Sequence, residues 1–257
     1  SETSPVARVT LNRPASLNAY TSVMCRELVD AFGKYQRADD QRVLVISGAG
    51  RAFCAGGDVA SQDEVVEAEA RQFGHAMIMR EGFHDVVRAL HRLDKPIIAK
   101  INGHAVAGGL TLALMCDLRI AGDSARLGDT SGKAGLLPDE GGAWLFPRAL
   151  GLERALRMTW FNEVYDAATA CRLGLVSDVV PDSDLDAHVD ELAERIAGRA
   201  PLAVRMAKRL MRRGLEGSLD QSLGDAEMAV VAVNDSADVH EGVAAFLEKR
   251  DAAFEGR

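Results

Sequence analysis

Two apolar, β-branched-rich runs, Val43-Leu44-Val45-Ile46-Ser47 and Pro96-Ile97-Ile98-Ala99-Lys100-Ile101, each feed into a glycine-rich turn. The turns read Ala52-Phe53-Cys54-Ala55-Gly56-Gly57-Asp58-Val59 and Asn102-Gly103-His104-Ala105-Val106-Ala107-Gly108-Gly109. Unbroken apolar runs of this length that stop at glycine predict buried strands. Between them, 63–93 is helical in composition, with Val86, Leu90 and Leu93 on one face. After the second turn, Leu110 to Cys116 is almost wholly apolar, which predicts a buried helix starting at the glycines. Strand, turn and helix in alternation place the chain in the α/β class. Small residues at both turns let backbone N–H groups approach a bound oxygen closely.

Upstream, Arg8-Val9-Thr10-Leu11 predicts a short strand stopped by Pro14, and Met24, Leu28, Phe32 and Tyr35 then recur at helical spacing. Downstream, Leu118-Arg119-Ile120-Ala121 predicts another strand. A third turn-forming stretch, Gly135-Leu136-Leu137-Pro138-Asp139-Glu140-Gly141-Gly142, leads into a helix over 143–150. Beyond 167 the pattern becomes helical: Leu185, Val189, Leu192 and Ile196 form one stripe, and Pro201 opens a helix running to Arg213. This divides the chain into an α/β core over 1–190 and an all-helical subdomain over 191–257. The stretch from Ser61 to Gly74 is the expected mobile part. Arg205, Lys208, Arg209, Arg212 and Arg213 read as a solvated basic face.

Only 5% of the 257 residues are aromatic, which leaves few stacking side chains for single-stranded nucleic acid. A formal net charge of -8 argues against a general polyanion-binding surface but allows a few basic groups around one phosphorylated ligand. Cys25, Cys54, Cys116 and Cys171 have no C-x-x-C spacing, and His84, His91 and His104 form no metal-type cluster, so no metal is expected. No apolar run approaches the roughly twenty residues that span a bilayer, and the opening residues lack a signal peptide's basic stretch and apolar core. These features predict a cytoplasmic protein that binds neither nucleic acid nor membrane.

Phe53-Cys54-Ala55-Gly56-Gly57-Asp58, Lys95-Pro96-Ile97-Ile98-Ala99 with Asn102-Gly103, Gly108-Gly109 with Cys116-Asp117, Gly135-Leu136-Leu137-Pro138 with Gly141-Gly142, and Glu241-Gly242 with Phe246 and Lys249-Arg250 are collinear. From about Arg8 to the end they resemble the enoyl-CoA hydratase/isomerase (crotonase) family. The resemblance implies a spiral of ββα turns followed by helices that trimerise, giving a homotrimer or a homohexamer built as a dimer of trimers. It implies an acyl-CoA thioester substrate, with coenzyme A part of the substrate and no separate cofactor. It places the two N–H groups that hold a thioester enolate at Gly57 and Gly108. The residues agree, since Gly108 falls at the start of the buried helix, where unpaired N–H groups and the helix dipole favour an anion. Ala55, Gly56, Asp58, Val59 and Gly109 are implied to line the thioester site. Ser16, Leu17 and Ala19 are implied to meet the coenzyme, with an ordinary turn as the rival reading. Leu137, Pro138 and Trp144 are implied on the substrate's path, as are Phe246 and Lys249, the latter toward the coenzyme's phosphates, sometimes from a neighbouring subunit. Met77, Ile78, Met79 and Phe83 either shape the acyl pocket or pack in the core.

Hydratases of the family use two glutamates, one to activate water and one to protonate Cα. The corresponding positions here are Thr111 and Ser131, with Asp129 close by as an alternative acid. Asp139 falls where the family's isomerases carry a single acid, and its surroundings, with Trp144 and Pro147-Arg148, are most similar to the branch containing the phenylacetate-pathway isomerase and Δ3,Δ2-enoyl-CoA isomerases. One carboxylate suffices to take a proton from C2 of a 3-enoyl thioester and return it at C4. Leu136, Leu137 and Trp144 are expected to desolvate that acid and raise its pKa. Asp before Gly-Gly and a helix is also an ordinary N-cap, and Glu140 is the second candidate acid. The expectation is an isomerase using Gly57, Gly108 and Asp139. A hydratase with an unusual acid is the alternative, and a non-catalytic acyl-CoA-binding or assembly subunit is the alternative of another class.

Overall fold

The computed structural model describes residues 4–58, 71–72 and 74–256. Val59 and most of the 61–74 stretch expected to be mobile lie outside the described residues. Among those described, nine strands form two sheets: β1 Val6–Leu11, β2 Val43–Gly48, β3 Ala52–Cys54, β4 Ile97–Ile101, β5 His104–Val106, β6 Leu118–Gly122, β7 Arg126–Gly128, β8 Val164–Asp166 and β9 Asp178–Val180. The larger sheet is wholly parallel in the order β1-β2-β4-β6-β9. The smaller has the order β3-β5-β7-β8, its last pair antiparallel. The strands β2, β4 and β6 of the first sheet are each followed by a short strand of the second, β3, β5 and β7, and then by helix. This is the ββα spiral implied by the resemblance.

The apolar runs are continuous because both faces of the large sheet are covered. Leu44, Ile46, Ile97, Ala99 and Ile101 point into the main core, whereas Val43, Val45, Ile98 and Ile120 point the other way, toward Leu185, Val189, Ala193 and Ala197. Period-two alternation thus divides one apolar run between two cores. β1 begins at Val6, two residues before the expected strand, because Val6 pairs with Val43; Pro14 sits in a short 3-10 turn. The helix Ser22–Arg37 buries Met24, Leu28, Phe32 and Tyr35, as their spacing predicts. The helix Leu185–Ala197 straddles the expected boundary at 190 and closes the outer face of the sheet.

The basic helix departs from expectation. Pro201–Gly214 buries no residue fully, yet its charges are not all solvated. Arg205 makes two bonds to Asp94, of 2.9 and 3.0 Å, while Lys208 and Arg212 hold the two oxygens of Asp117 at 2.7 and 2.8 Å. Asp94 and Asp117 stand just before β4 and β6, so the helix docks on the sheet through ions, where other helices use apolar stripes.

Candidate active site

Pairing of β3 with β5 brings the two glycine turns side by side, with Ala52 opposite His104 and Cys54 opposite Ala105. The approach leaves no room for side chains. A Cβ on Gly109 would lie 2.0 Å from the carbonyl oxygen of Cys54, and one on Gly56, whose φ is 94°, would lie 3.1 Å from Cβ of Ala107. Ala107 itself takes φ 50° and ψ -125°, a strained conformation for alanine, immediately before the helix Gly108–Leu114. Gly108 is therefore the first residue of a fully buried helix, as the sequence predicts. Among the described residues, neither the Gly57 nor the Gly108 N–H has an acceptor.

The loop carrying Ser16, Leu17 and Ala19 is bonded to the first turn. Tyr20 N–H donates to the Gly56 carbonyl at 2.8 Å, Asp58 N–H to Tyr20 at 3.0 Å, and Ala55 N–H to Leu17 at 3.1 Å. Leu17 and Asn18 are both left-handed, and buried Asn18 holds the bend by donating to the carbonyls of Ala49 and Ala52. Ser16 is exposed and Ala19 buried. The carboxylate of Asp58 pairs with Arg13 at 2.7 Å, so Asp58 fixes the turn to the loop.

The third glycine-rich stretch separates its two acids. Asp139 is exposed, and the expected desolvating neighbours Leu136, Leu137 and Trp144 are themselves exposed. Nor does Asp139 cap the following helix: the N-cap of Gly142–Leu150 is Gly141, with no side-chain bond. Glu140, in contrast, is only 7% exposed. Its Oε1 accepts from the Tyr20 phenol at 2.7 Å and would lie 2.8 Å from a Cβ built on Gly108. The buried acid therefore stands against the second glycine turn. Burial pushes its pKa up to about 7, only partly opposed by the Tyr20 hydrogen bond. His84 braces the same loop, its Nε2 donating to the Asp139 carbonyl at 2.8 Å. Phe83 stacks on Tyr20 with ring centroids 4.1 Å apart.

The remaining candidate acid and its neighbours have other tasks. Buried Asp129 accepts from Ser131 N–H at 3.0 Å and from the Thr159 hydroxyl at 2.8 Å, tying a 3-10 turn to the helix Leu152–Phe161. Thr111 is buried, and its hydroxyl has no partner among the described residues. Cys54 is wholly buried with a thiol pushed up to about 12 by burial, which suits packing and not nucleophilic attack. No group of His, Cys, Asp and Glu among the described residues could hold a metal ion.

Beyond Gly141 opens a cavity of about 330 Å³ lined by Val87, His91, Met115, Trp144 and Leu145, among others. Trp144 is stacked under the Arg148 guanidinium, 3.9 Å from the ring centroid. Pro138 is half-buried beside exposed Leu137, while Met77, Ile78 and Met79 are half-buried and Phe83 is buried against Tyr20. Phe246 and Lys249 lie exposed at the end of the last helix, and among the described residues no hydrogen bond joins Lys249 to the glycine turns. Sequence reasoning missed Tyr20 and the bracing by His84. Tyr20 directly follows the flagged loop, but nothing local connects it to an acid so far along the chain.

A sequence profile for the family described as enoyl-CoA hydratase/isomerase matches residues 1–257. The (E)-benzylidenesuccinyl-CoA hydratase of Thauera aromatica is 37% identical over 252 residues, covering 98% of this chain and 96% of the relative. The 1,2-epoxyphenylacetyl-CoA isomerase of Escherichia coli (strain K12) is 34% identical over 252 residues, covering 98% and 95%. A crystal structure of an enoyl-CoA hydratase from Bacillus anthracis superposes with a TM-score of 0.91 at 32% identity, covering 100% of this chain and 98% of that one.

Proposed function

The chain belongs to the enoyl-CoA hydratase/isomerase family, and on that footing we propose that it is an acyl-CoA isomerase working through a thioester enolate, with Glu140 as its single acid/base. The observation that carries this reading is the buried carboxyl of Glu140 against Gly108, in a chain whose hydratase positions are Thr111 and Ser131. The N–H groups of Gly57 and Gly108 receive the thioester oxygen and favour it most once it is negative. The Glu140 carboxylate takes the proton from C2 of a 3-enoyl thioester. The C2–H electrons form a C1=C2 bond as the carbonyl pair moves to the oxygen; when that pair returns, C1=C2 becomes C2=C3 and the former C3=C4 pair takes the proton back at C4. Nothing is oxidised, no water is added, and no cofactor is needed beyond the coenzyme that the substrate carries. Asp139, on the surface, has no part in this cycle.

Hydration is the second reading, and the buried hydroxyl of Thr111, without a partner among the described residues, favours it as a place to hold water. The names of the relatives include both activities. Purified protein is to be incubated with 3-enoyl-CoA and, separately, 2-enoyl-CoA while formation or loss of the conjugated thioester is followed. Conversion of 3-enoyl-CoA is expected, lost in Glu140→Gln with thioester binding retained and unchanged in Asp139→Asn. Reaction of the 2-enoyl substrate alone would sink the isomerase reading. Because the base is the carboxylate, kcat/KM is expected to fall as pH drops through about 7.

A further inference from the structure

We propose that Tyr20 is the positioning residue of this site: its phenol pins Oε1 of Glu140, so that Oε2 is the oxygen that carries the proton. The inference rests on Glu140 being the acid/base. The phenol donates at 2.7 Å, and burial raises its own pKa far above the ordinary tyrosine range, so it remains a donor at any working pH. The ring cannot swing away. Its backbone is bonded on both sides to the first glycine turn, through Gly56 and Asp58, and its face is stacked on Phe83.

One side chain also touches both enolate-holding positions. A Cβ on Gly57 would lie 3.2 Å from the Tyr20 oxygen, and one on Gly108 would lie 2.7 Å from a ring carbon. Tyr20 thus fixes the acid relative to the two N–H groups, and it does so by the oxygen that does not react. A carboxyl held this way cannot exchange its two oxygens by rotation. With a substrate deuterated at C2, the deuteron removed sits on Oε2 of this buried carboxyl and is delivered by that same oxygen to C4, with one C–D bond broken and one formed.

Tyr20→Phe keeps the stacked ring and removes only the hydroxyl. With 3-enoyl-CoA the expected result is a fall of about tenfold in kcat with KM little changed, because binding contacts persist while the acid loses its orientation. The hydrogen bond favours the carboxylate, so its loss moves the acid limb of the pH profile up by about one unit. Deuterium transfer from C2 to C4 is expected to be substantial in the wild type and to drop in the variant. Raised KM with kcat and the limb unmoved would overturn the proposal. A turnover-independent arm uses 13C-carboxyl-labelled protein, with the Glu140 signal assigned by its loss in Glu140→Gln. If Tyr20→Phe leaves the Glu140 titration where it was, the Tyr20 proposal fails whether or not the protein isomerises anything. A shifted titration in a protein that ignores 3-enoyl-CoA would leave the Tyr20–Glu140 coupling intact and remove the isomerase reading instead.

Discussion

Glu140 holds a charge that its surroundings disfavour, and this makes stability depend on pH. Unfolded, the carboxyl titrates near 4.5; folded, at about 7, so between these values the native state holds the extra proton. The stabilisation from that proton is complete below about 4.5 and lost as pH rises through 7. Glu140→Gln, which removes the buried charge, is therefore expected to raise the unfolding free energy by about 1–3 kcal/mol at pH 8 and by little at pH 4.5, while abolishing turnover. Urea melts at the two pH values test this, and an equal effect at both would contradict it. The same residue marks a limit of the sequence. Asp139 and Glu140 are adjacent acids in one turn, yet one faces water and the other the core. Composition names the stretch but not which carboxyl turns inward. The meeting of the two glycine turns, by contrast, was legible, because only small residues allow the close approach made at Gly56 and Gly109.

Among the elements, β2 and β4 were readable because each is apolar on both faces, and the helix Ser22–Arg37 because its stripe repeats at helical spacing. Pro201–Gly214 was not, since basic residues three and four apart look the same whether they meet water or acids. The acids that receive them lie about a hundred positions earlier. Lys208 is nearly buried, so Asp117→Ala leaves its ammonium without its carboxylate and is expected to destabilise the protein by about 2–4 kcal/mol. Hydrogen exchange should show the loss concentrated in Pro201–Gly214; uniform protection across that helix would refute ionic docking. Burial pushes the Asp94 carboxyl up, but hydrogen bonds from Arg205 and Gln36 outweigh it and hold the pKa below the usual range. Its contribution is thus present above the ordinary carboxylate pKa and lost as pH falls through the lowered one, so the same helix should loosen in acid.

At the scale of the whole molecule, the last helices present more apolar surface than a lone subunit normally leaves in water. Met211, Leu215, Leu219, Met228 and Val231 are exposed, Leu215 by 85%, and Phe246 by 82%. Together with the resemblance, this supports a homotrimer or homohexamer. Sedimentation is expected to give a species three or six times the chain mass, with Leu215→Asp shifting it toward single chains; a monomeric wild type at micromolar concentration would refute assembly. The parallel sheet carries a different consequence, for synthesis. Its strands are joined only by long crossovers, none by a hairpin, so no pair can form early from neighbouring residues. The outer edge of β6 stays open until Asp178–Val180 has left the ribosome to pair with Ile120, Ala121 and Gly122. Three residues near the end of the core thus replace a five-residue edge with a shorter one, and a chain that stalls before them offers the longer β6 edge to any other nascent strand.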